Sequence, residues 1–309
     1  REAESPGAAP SATSAFRDPK VYREGGRFVL LLEDSAGRPE RWALPASVRA
    51  IEPIPGLPGN FRVTTSREER VPMALVPGGF PVGGGKGRGA PCLMECFEVT
   101  VERFERFRQS ASLRPMEEVA PEFRVPGQPI VIVSWDEAVE FAAWAEKSLP
   151  SALEHEAAAS WDGTGRRRFP WGDDFEAGGI ALEWQSRPPP AEGVTNPGES
   201  TAPVSGEARP RDVSAWGIVG LAGGVREWCL DAPEGKPDHR VIRGGSVVHP
   251  RGSWGARKPI TPEHFLATRQ DFALRSSKMN DVGVRCVIRL QRAAPEPVPE
   301  KDPRPEGGR

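Results

Sequence analysis

The chain has 309 residues, a net charge of −2 and 27% charged residues, and that length suffices for one large domain or for a large and a small one. The balanced charge argues against a basic nucleic-acid surface or a polybasic membrane patch. No apolar run is long enough to span a bilayer, and no hydrophobic leader is visible, so a cytoplasmic location is expected.

Glycine and proline are frequent, with 34 residues each, and nine tryptophans accompany a single tyrosine. This composition predicts a loop-rich domain that is held by buried indole rings more than by long helices. Four cysteines are present, Cys92, Cys96, Cys229 and Cys286. The spacing of the first two differs from that of most zinc sites, so reduced and partly buried thiols are predicted, without disulfides.

The N-terminal part divides into two segments. Residues 1–17 are small, polar and interrupted by proline, which predicts a disordered lead-in. Residues 18–70 alternate short β-type runs, at 28–32, 41–44, 48–51 and 61–65, with turns. A segment of this length buries little surface alone, so we predict a small β-rich subdomain that packs on the main segment after it.

The main segment, residues 71–290, opens with a strand and a glycine-rich turn at 73–80. Apolar residues at 97, 101, 104 and 107 have helical spacing, and Thr100 is placed to cap that helix. A buried strand is predicted at 129–133. Ser134 and Glu137 then form the capping-box pattern of a helix that extends to about residue 147.

Another helical stretch covers residues 152–159, and loops dominate beyond residue 166. Short strands are predicted near 216–221, 240–242 and 283–290. The tail at 291–309 is rich in proline and charge, which predicts disorder. Helices and strands mixed in this way indicate an α+β domain.

Several separated motifs succeed one another in a fixed order. They are V-P-G-G-F at 76–80, E-V-T at 98–100, P-I-V-I-V-S-W at 129–135, S-L-P-S-A-L-E-H-E at 148–156, F-P-W-G at 169–172, G-G-V-R-E-W at 223–228, R-G-G-S at 243–246 and G-V-R-C at 283–286. Together they resemble the formylglycine-generating enzyme, or sulfatase-modifying factor, family. The resemblance implies a loop-rich, C-type-lectin-like α+β fold, with the small β subdomain in front of it.

G-G-V-R-E-W resembles the version of this domain that is fused to bacterial Ser/Thr protein kinases. An upstream kinase or other domain is therefore expected, although the chain itself carries no kinase motif. The charged motif residues Glu227, Arg243 and Arg285 are predicted to be buried ionic ties between loops, which build the fold instead of carrying chemistry.

In the family's enzymes, two cysteines after R-G-G-S bind copper(I) and use oxygen to convert a substrate cysteine to formylglycine. The corresponding positions are His249 and Trp254, which cannot form the dithiolate that copper(I) prefers. The resemblance also implies that Ala142 replaces a cysteine that pairs with Cys286 in some relatives, and that Gly224 replaces a calcium-binding asparagine. No catalytic residue, metal ligand or cofactor is therefore predicted, and calcium stays an open alternative.

Residues 249–281 form the predicted recognition region, for a protein or a small ligand. Arginine and aromatic side chains on loops of a rigid scaffold suit recognition, whereas an ordinary solvated loop remains the alternative. The predicted ligand-binding residues are His249, Arg251, Trp254, Arg257, Arg269 and Arg275.

Three functions remain open. The first is a pseudoenzyme, a non-catalytic recognition or sensor domain of a bacterial signalling or multidomain protein. The second is an oxygen-using oxidoreductase of the formylglycine-generating or sulfoxide-synthase type, with a shifted metal site that includes His249 and either His264 or His239. The third is a purely architectural module. The chain lacks the H-x3-H-x-E element of the sulfoxide synthases, which favours the first.

Overall fold

The computed structural model describes residues 19–33, 37–82, 87–113, 119–178, 211–246 and 261–293. Within these ranges the chain forms three α-helices and fifteen strands, joined by long irregular connections. This mixture confirms the α+β class and the predicted dominance of loops.

The first sheet joins strands from the two ends of the described chain. Its order is β1 (Lys20–Glu24), β2 (Arg27–Glu33), β3 (Pro39–Ala43) and β15 (Gln291–Arg292). The boundary of a disordered tail at residue 291 stays a prediction. Gln291–Arg292 pair with β3 and supply partners to backbone groups that this strand would otherwise expose.

The second sheet is antiparallel throughout and has the order β14 (Val287–Arg289), β9 (Cys92–Glu95), β6 (Val71–Val76), β5 (Asn60–Thr64) and β4 (Ala50–Pro53). A short hairpin, β7 (Pro81–Val82) and β8 (Gly87–Arg88), lies between β6 and β9. The domain division at residue 70 stays a prediction, and β5 and β6 on its two sides are hydrogen-bonded neighbours. One buried cluster joins Leu30 to Met73 and Ile288, so the N-terminal strands share their core with the main region.

The third sheet positions the candidate site. Its order is β12 (Gln270–Leu274), β11 (His239–Arg243), β10 (Arg226–Trp228) and β13 (Val282–Gly283). The pair of β10 and β13 is parallel, and the other two pairs are antiparallel.

The predicted helix starts are confirmed. Helix α1 (Val101–Ser110) is capped by Thr100, and α2 (Trp135–Trp144) begins with the capping box of Ser134 and Glu137. Helix α3 (Ala152–Ser160) has a second capping box, which we did not predict. Phenylalanines of α1 and α2 pack with Trp228 in the main core. Among the described residues, none of the helices is long and apolar enough to cross a membrane.

Two predicted strands are absent from the described structure. At 129–133 only Pro129 forms an isolated bridge, and Ile132 adopts a left-handed φ of 60° while its N–H donates to the carbonyl of Met279 at 2.9 Å. At 216–221 two glycines, Gly217 and Gly220, have positive φ and produce turns. Both segments are largely buried, as their apolar residues predicted. The strand conformation predicted from the same residues is wrong.

Candidate functional site

Two of the six predicted ligand-binding residues lie in the described part of the chain. Arg269 immediately precedes β12, and Arg275 immediately follows it. The other four, His249, Arg251, Trp254 and Arg257, lie outside the described residues. Strand β12 is therefore the described framework of the predicted recognition region.

Arg269 is engaged inside the protein. Its Nη1 donates to the carbonyl of His264 at 2.9 Å, and its Nη2 donates to Asp271 Oδ2 at 2.9 Å. Asp271 also accepts from Arg226 at 3.2 Å, and Arg226 is in turn paired with Asp281. These contacts tie the turn before β12 to the sheet and leave Arg269 little capacity for a ligand.

Arg275 lies at the surface, against an indole ring. Its guanidinium carbon is 5.0 Å from the ring centre of Trp135, and it forms an ion pair with Asp136. Arg240 approaches the same ring, at 4.2 Å. The indole is itself fixed, because its Nε1 donates to the carbonyl of Cys229 at 2.8 Å. One anchored tryptophan thus holds two guanidinium groups by cation–π contact.

The opposite face of β11 and β12 carries exposed apolar side chains. Arg240 pairs with Ala273 in the register, and directly opposed residues share a face, so the neighbouring Phe272 and Leu274 point the other way. Both are 48% exposed. Lys236 Nζ lies 3.9 Å from the ring centre of Phe272. Both faces near the end of β12 therefore present aromatic or apolar groups together with cations.

We call these residues the β12 surface: Trp135, Lys236, Arg240, Phe272, Leu274 and Arg275. Of these six, only Arg275 was among the predicted ligand-binding residues. The spacing of Phe272 and Leu274 was the signal that was missed, since large apolar residues two positions apart suit one face of a strand.

A buried charge network lies where the ends of β10 and β11 meet α3. Arg285 Nε donates to Glu227 Oε1 at 2.9 Å, and His155 Nε2 lies 3.0 Å from Glu227 Oε2. Arg243, at the end of β11, pairs with Glu156 at 2.7 Å. Burial opposes ionisation of Glu227, but the charge of Arg285 and the hydrogen bond with His155 outweigh it and lower the pKa of that carboxyl. The predicted role of the three motif residues as buried ties is confirmed.

The four cysteines do not supply the copper(I) dithiolate that the resemblance associates with the family's enzymes. All four are buried, and burial raises the pKa of Cys96 to about 12 and those of Cys229 and Cys286 well above the usual range. Cys286 packs in the same core cluster as Ala142. The described residues also contain no group of three or more histidine, cysteine or acidic side chains that could hold a metal.

Gly224 stands where the resemblance places a calcium-binding asparagine. A Cβ at this position would lie 1.9 Å from Glu98 Oε1 and 2.6 Å from the carbonyl of Gly220. A side chain here therefore requires Glu98 to move, and glycine is the residue that this packing accepts. The expectation that no calcium is bound stays a prediction.

Most of the chain matches one protein family. Residues 54–290 match the sulfatase-modifying factor enzyme 1-like domain. A formylglycine-generating enzyme of Streptomyces coelicolor is 38% identical over 140 residues, which are 40% of this chain and 43% of that protein.

Two further relatives carry different names. An inactive Cα-formylglycine-generating enzyme 2 of Bos taurus is 33% identical over 160 residues, which cover 51% of this chain and 49% of the relative. A hercynine oxygenase of Mycolicibacterium thermoresistibile is 29% identical over 196 residues, covering 56% and 39%. The chain thus spans less than half the length of these curated relatives.

Proposed function

We propose that this chain, which belongs to the sulfatase-modifying factor enzyme 1-like family, is a non-catalytic recognition domain that binds a protein or a small ligand through the region 249–281. The observation that carries the proposal is the position of the thiols. His249 and Trp254 stand where the family's enzymes have copper-binding cysteines, and the four cysteines of this chain are buried in its core. A scaffold that lacks the family's copper-binding cysteines can still bind a protein or a small ligand.

The β12 surface supports a recognition role. Tryptophan and arginine are the residue types that contribute most to binding energy at protein interfaces. Trp135 is fixed by its hydrogen bond to the Cys229 carbonyl, so its ring needs little further ordering when a partner covers it. Phe272 and Leu274 offer apolar area on the other face of the strand. A bacterial signalling or multidomain protein would use such a domain as a sensor or docking module.

The test is a partner screen followed by measured affinities. Once a partner is found, Trp254→Ala, Arg257→Ala and Trp135→Ala are each expected to weaken binding by about 2 kcal/mol, or roughly thirtyfold. Arg27→Ala is the matched control, because Arg27 is an exposed arginine of β2, outside the region. Affinity that stays unchanged in all three variants would contradict the assignment of the region.

A second candidate is an oxygen-using oxidoreductase with a shifted metal site, and the similarity to a hercynine oxygenase favours it. It predicts stoichiometric iron or copper in the purified protein, oxygen consumption with a suitable thiol substrate, and loss of turnover in His249→Ala. The recognition proposal predicts that neither oxygen consumption nor conversion of a cysteine peptide to formylglycine occurs after addition of either metal. An oxygen electrode and mass spectrometry of the peptide decide between the two.

A further inference from the structure

A cleft of about 570 Å³ opens beside the N-terminal half of α1. Its walls are the start of β6, the first turns of α1 and the loop at residues 125–129. None of its lining residues belongs to the β12 surface. The volume lies within the range that small-molecule pockets occupy.

The cleft is largely apolar, and its walls are fixed before any ligand binds. The apolar lining consists of Val71, Pro72, Phe97, Val125 and Pro129. Val125 is 45% exposed, so one wall offers apolar surface that the described chain does not cover. The loop that carries it is held to α1, because the first N–H groups of the helix donate to the carbonyls of Gln128 at 2.9 Å and Pro126 at 3.1 Å.

Two arginines of α1 lie one turn apart and line the same cleft. Arg103 is saturated, because its guanidinium binds both Glu68 and Glu95. The Arg106 side chain is exposed and makes no hydrogen bond or ion pair with the described residues. Among the described residues, the Arg106 guanidinium is therefore a cation of the cleft that is available to a ligand.

Arg70 adds a second cation at the rim. It has a left-handed φ of 54°, and its N–H donates to Thr64 Oγ1 at 3.1 Å, which holds this uncommon conformation. Its guanidinium pairs with Glu52 at 2.7 Å, with both side chains about half exposed. An exposed pair of this kind contributes little, so Arg70 can exchange Glu52 for a ligand. Glu69 is the neighbouring acid at the rim and disfavours a second negative charge.

We propose that this cleft binds an amphipathic monocarboxylate. The apolar body would lie against Val71, Phe97 and Val125, and the carboxylate would accept hydrogen bonds from Arg106, with Arg70 as the second cation. Arginine binds carboxylates through two parallel N–H donors. The Arg106 side chain has no carboxylate partner among the described residues, so a ligand carboxylate can take that place. A small ligand is favoured over a protein because three segments of the chain, 69–72, 97–106 and 125–129, line a cleft of small-molecule size.

The test uses octanoate as the probe, with acetate and octylamine as comparison ligands, in saturation-transfer NMR and calorimetry on the full chain. Octanoate is expected to bind saturably, whereas acetate lacks the apolar body and octylamine has the wrong charge. Arg106→Gln is expected to weaken octanoate binding roughly tenfold, since it removes a hydrogen bond between charged groups. Val125→Asp, at an exposed position that tolerates a polar residue, should weaken it as well.

Arg108→Gln is the control, because Arg108 is on the same helix but does not line the cleft and pairs with Glu137. It should bind octanoate as the unmodified chain does. Octylamine that binds as well as octanoate, absence of saturable octanoate binding, or an Arg106→Gln variant with unchanged affinity would each overturn the proposal. Binding of an acidic peptide but not of octanoate would overturn it in favour of a protein partner.

Discussion

Lys147 belongs to a buried cluster of four charges that one substitution can unbalance. Its Nζ is fully buried, 2.6 Å from Glu68 Oε2 and 2.7 Å from Glu95 Oε1. Arg103 binds the same two carboxylates, at 2.7 Å and 2.6 Å. In Lys147→Met the side chain keeps its approximate length but loses its charge, so two buried carboxylates share one guanidinium.

The expected cost follows from that imbalance. Removing one partner of a buried ion pair usually costs about 3–5 kcal/mol, because a charge remains buried without compensation. The double variant Lys147→Met with Glu95→Gln removes one charge of each sign and leaves the pair of Glu68 and Arg103. Its loss of stability should therefore be smaller than the sum of the two single losses, by about 1–3 kcal/mol.

Urea unfolding, followed by tryptophan fluorescence, measures these free energies. Lys278→Met is the matched control, because Lys278 is 48% exposed and pairs with Glu137 at 2.8 Å, and such a surface pair is worth at most about 1 kcal/mol. Two results would contradict the predicted imbalance of buried charges: a Lys147→Met that costs no more than Lys278→Met, or a double variant that shows the sum of the single effects.

The same cluster predicts how stability depends on pH. Burial opposes ionisation of Glu95, but Arg103 and Lys147 outweigh it and lower the pKa of Glu95 to about 2. An unfolded glutamate has a pKa of about 4.3. The contribution of Glu95 is therefore complete above about pH 5 and is lost as the pH falls towards 2. In Lys147→Met the folded-state pKa of Glu95 should be less depressed, so the acid-induced loss should be smaller and should be complete at a higher pH.

Three other changes have defined outcomes. Gly224→Ala should lower the free energy of unfolding by about 1–3 kcal/mol, because its Cβ would lie 1.9 Å from Glu98 Oε1. An unchanged urea midpoint would show instead that the Glu98 side chain moves aside at no cost. Ser151→Ala should cost about 1 kcal/mol in the same assay, since it removes the cap of α3. Cys96, whose pKa burial raises to about 12, should resist a thiol reagent until the protein unfolds, and rapid labelling of the native protein would contradict its burial.

Local sequence patterns predicted much of the fold. The starts of α1 and α2 followed from Thr100 and from the spacing of Ser134 and Glu137, because a helix cap depends on residues three positions apart. The predicted ties through Glu227 and Arg285 followed from charged residues inside glycine-rich motifs. Such residues must find partners when loops around them are buried.

Other features depended on residues far apart in the chain. Ile132 was predicted in a strand, but its N–H bonds to the carbonyl of Met279, and no local pattern shows that distant partner. Gln291 and Arg292 form a strand only because β3 lies beside them. Pairing between distant segments thus decided where several short strands begin and end.

The sequence by itself determined the family scaffold, since that is a matter of residue type at fixed spacing, and the replacement of both copper-binding positions stays a prediction. Only the tertiary structure decided which arginines remain available. Arg269, Arg275, Arg103 and Arg106 are alike in the sequence, yet Arg269 and Arg103 are saturated by internal partners, Arg275 stacks on Trp135, and Arg106 faces a cleft. The physical reason is that a guanidinium can serve a ligand only with donors that the fold has not already satisfied, and those partners lie far away in the chain.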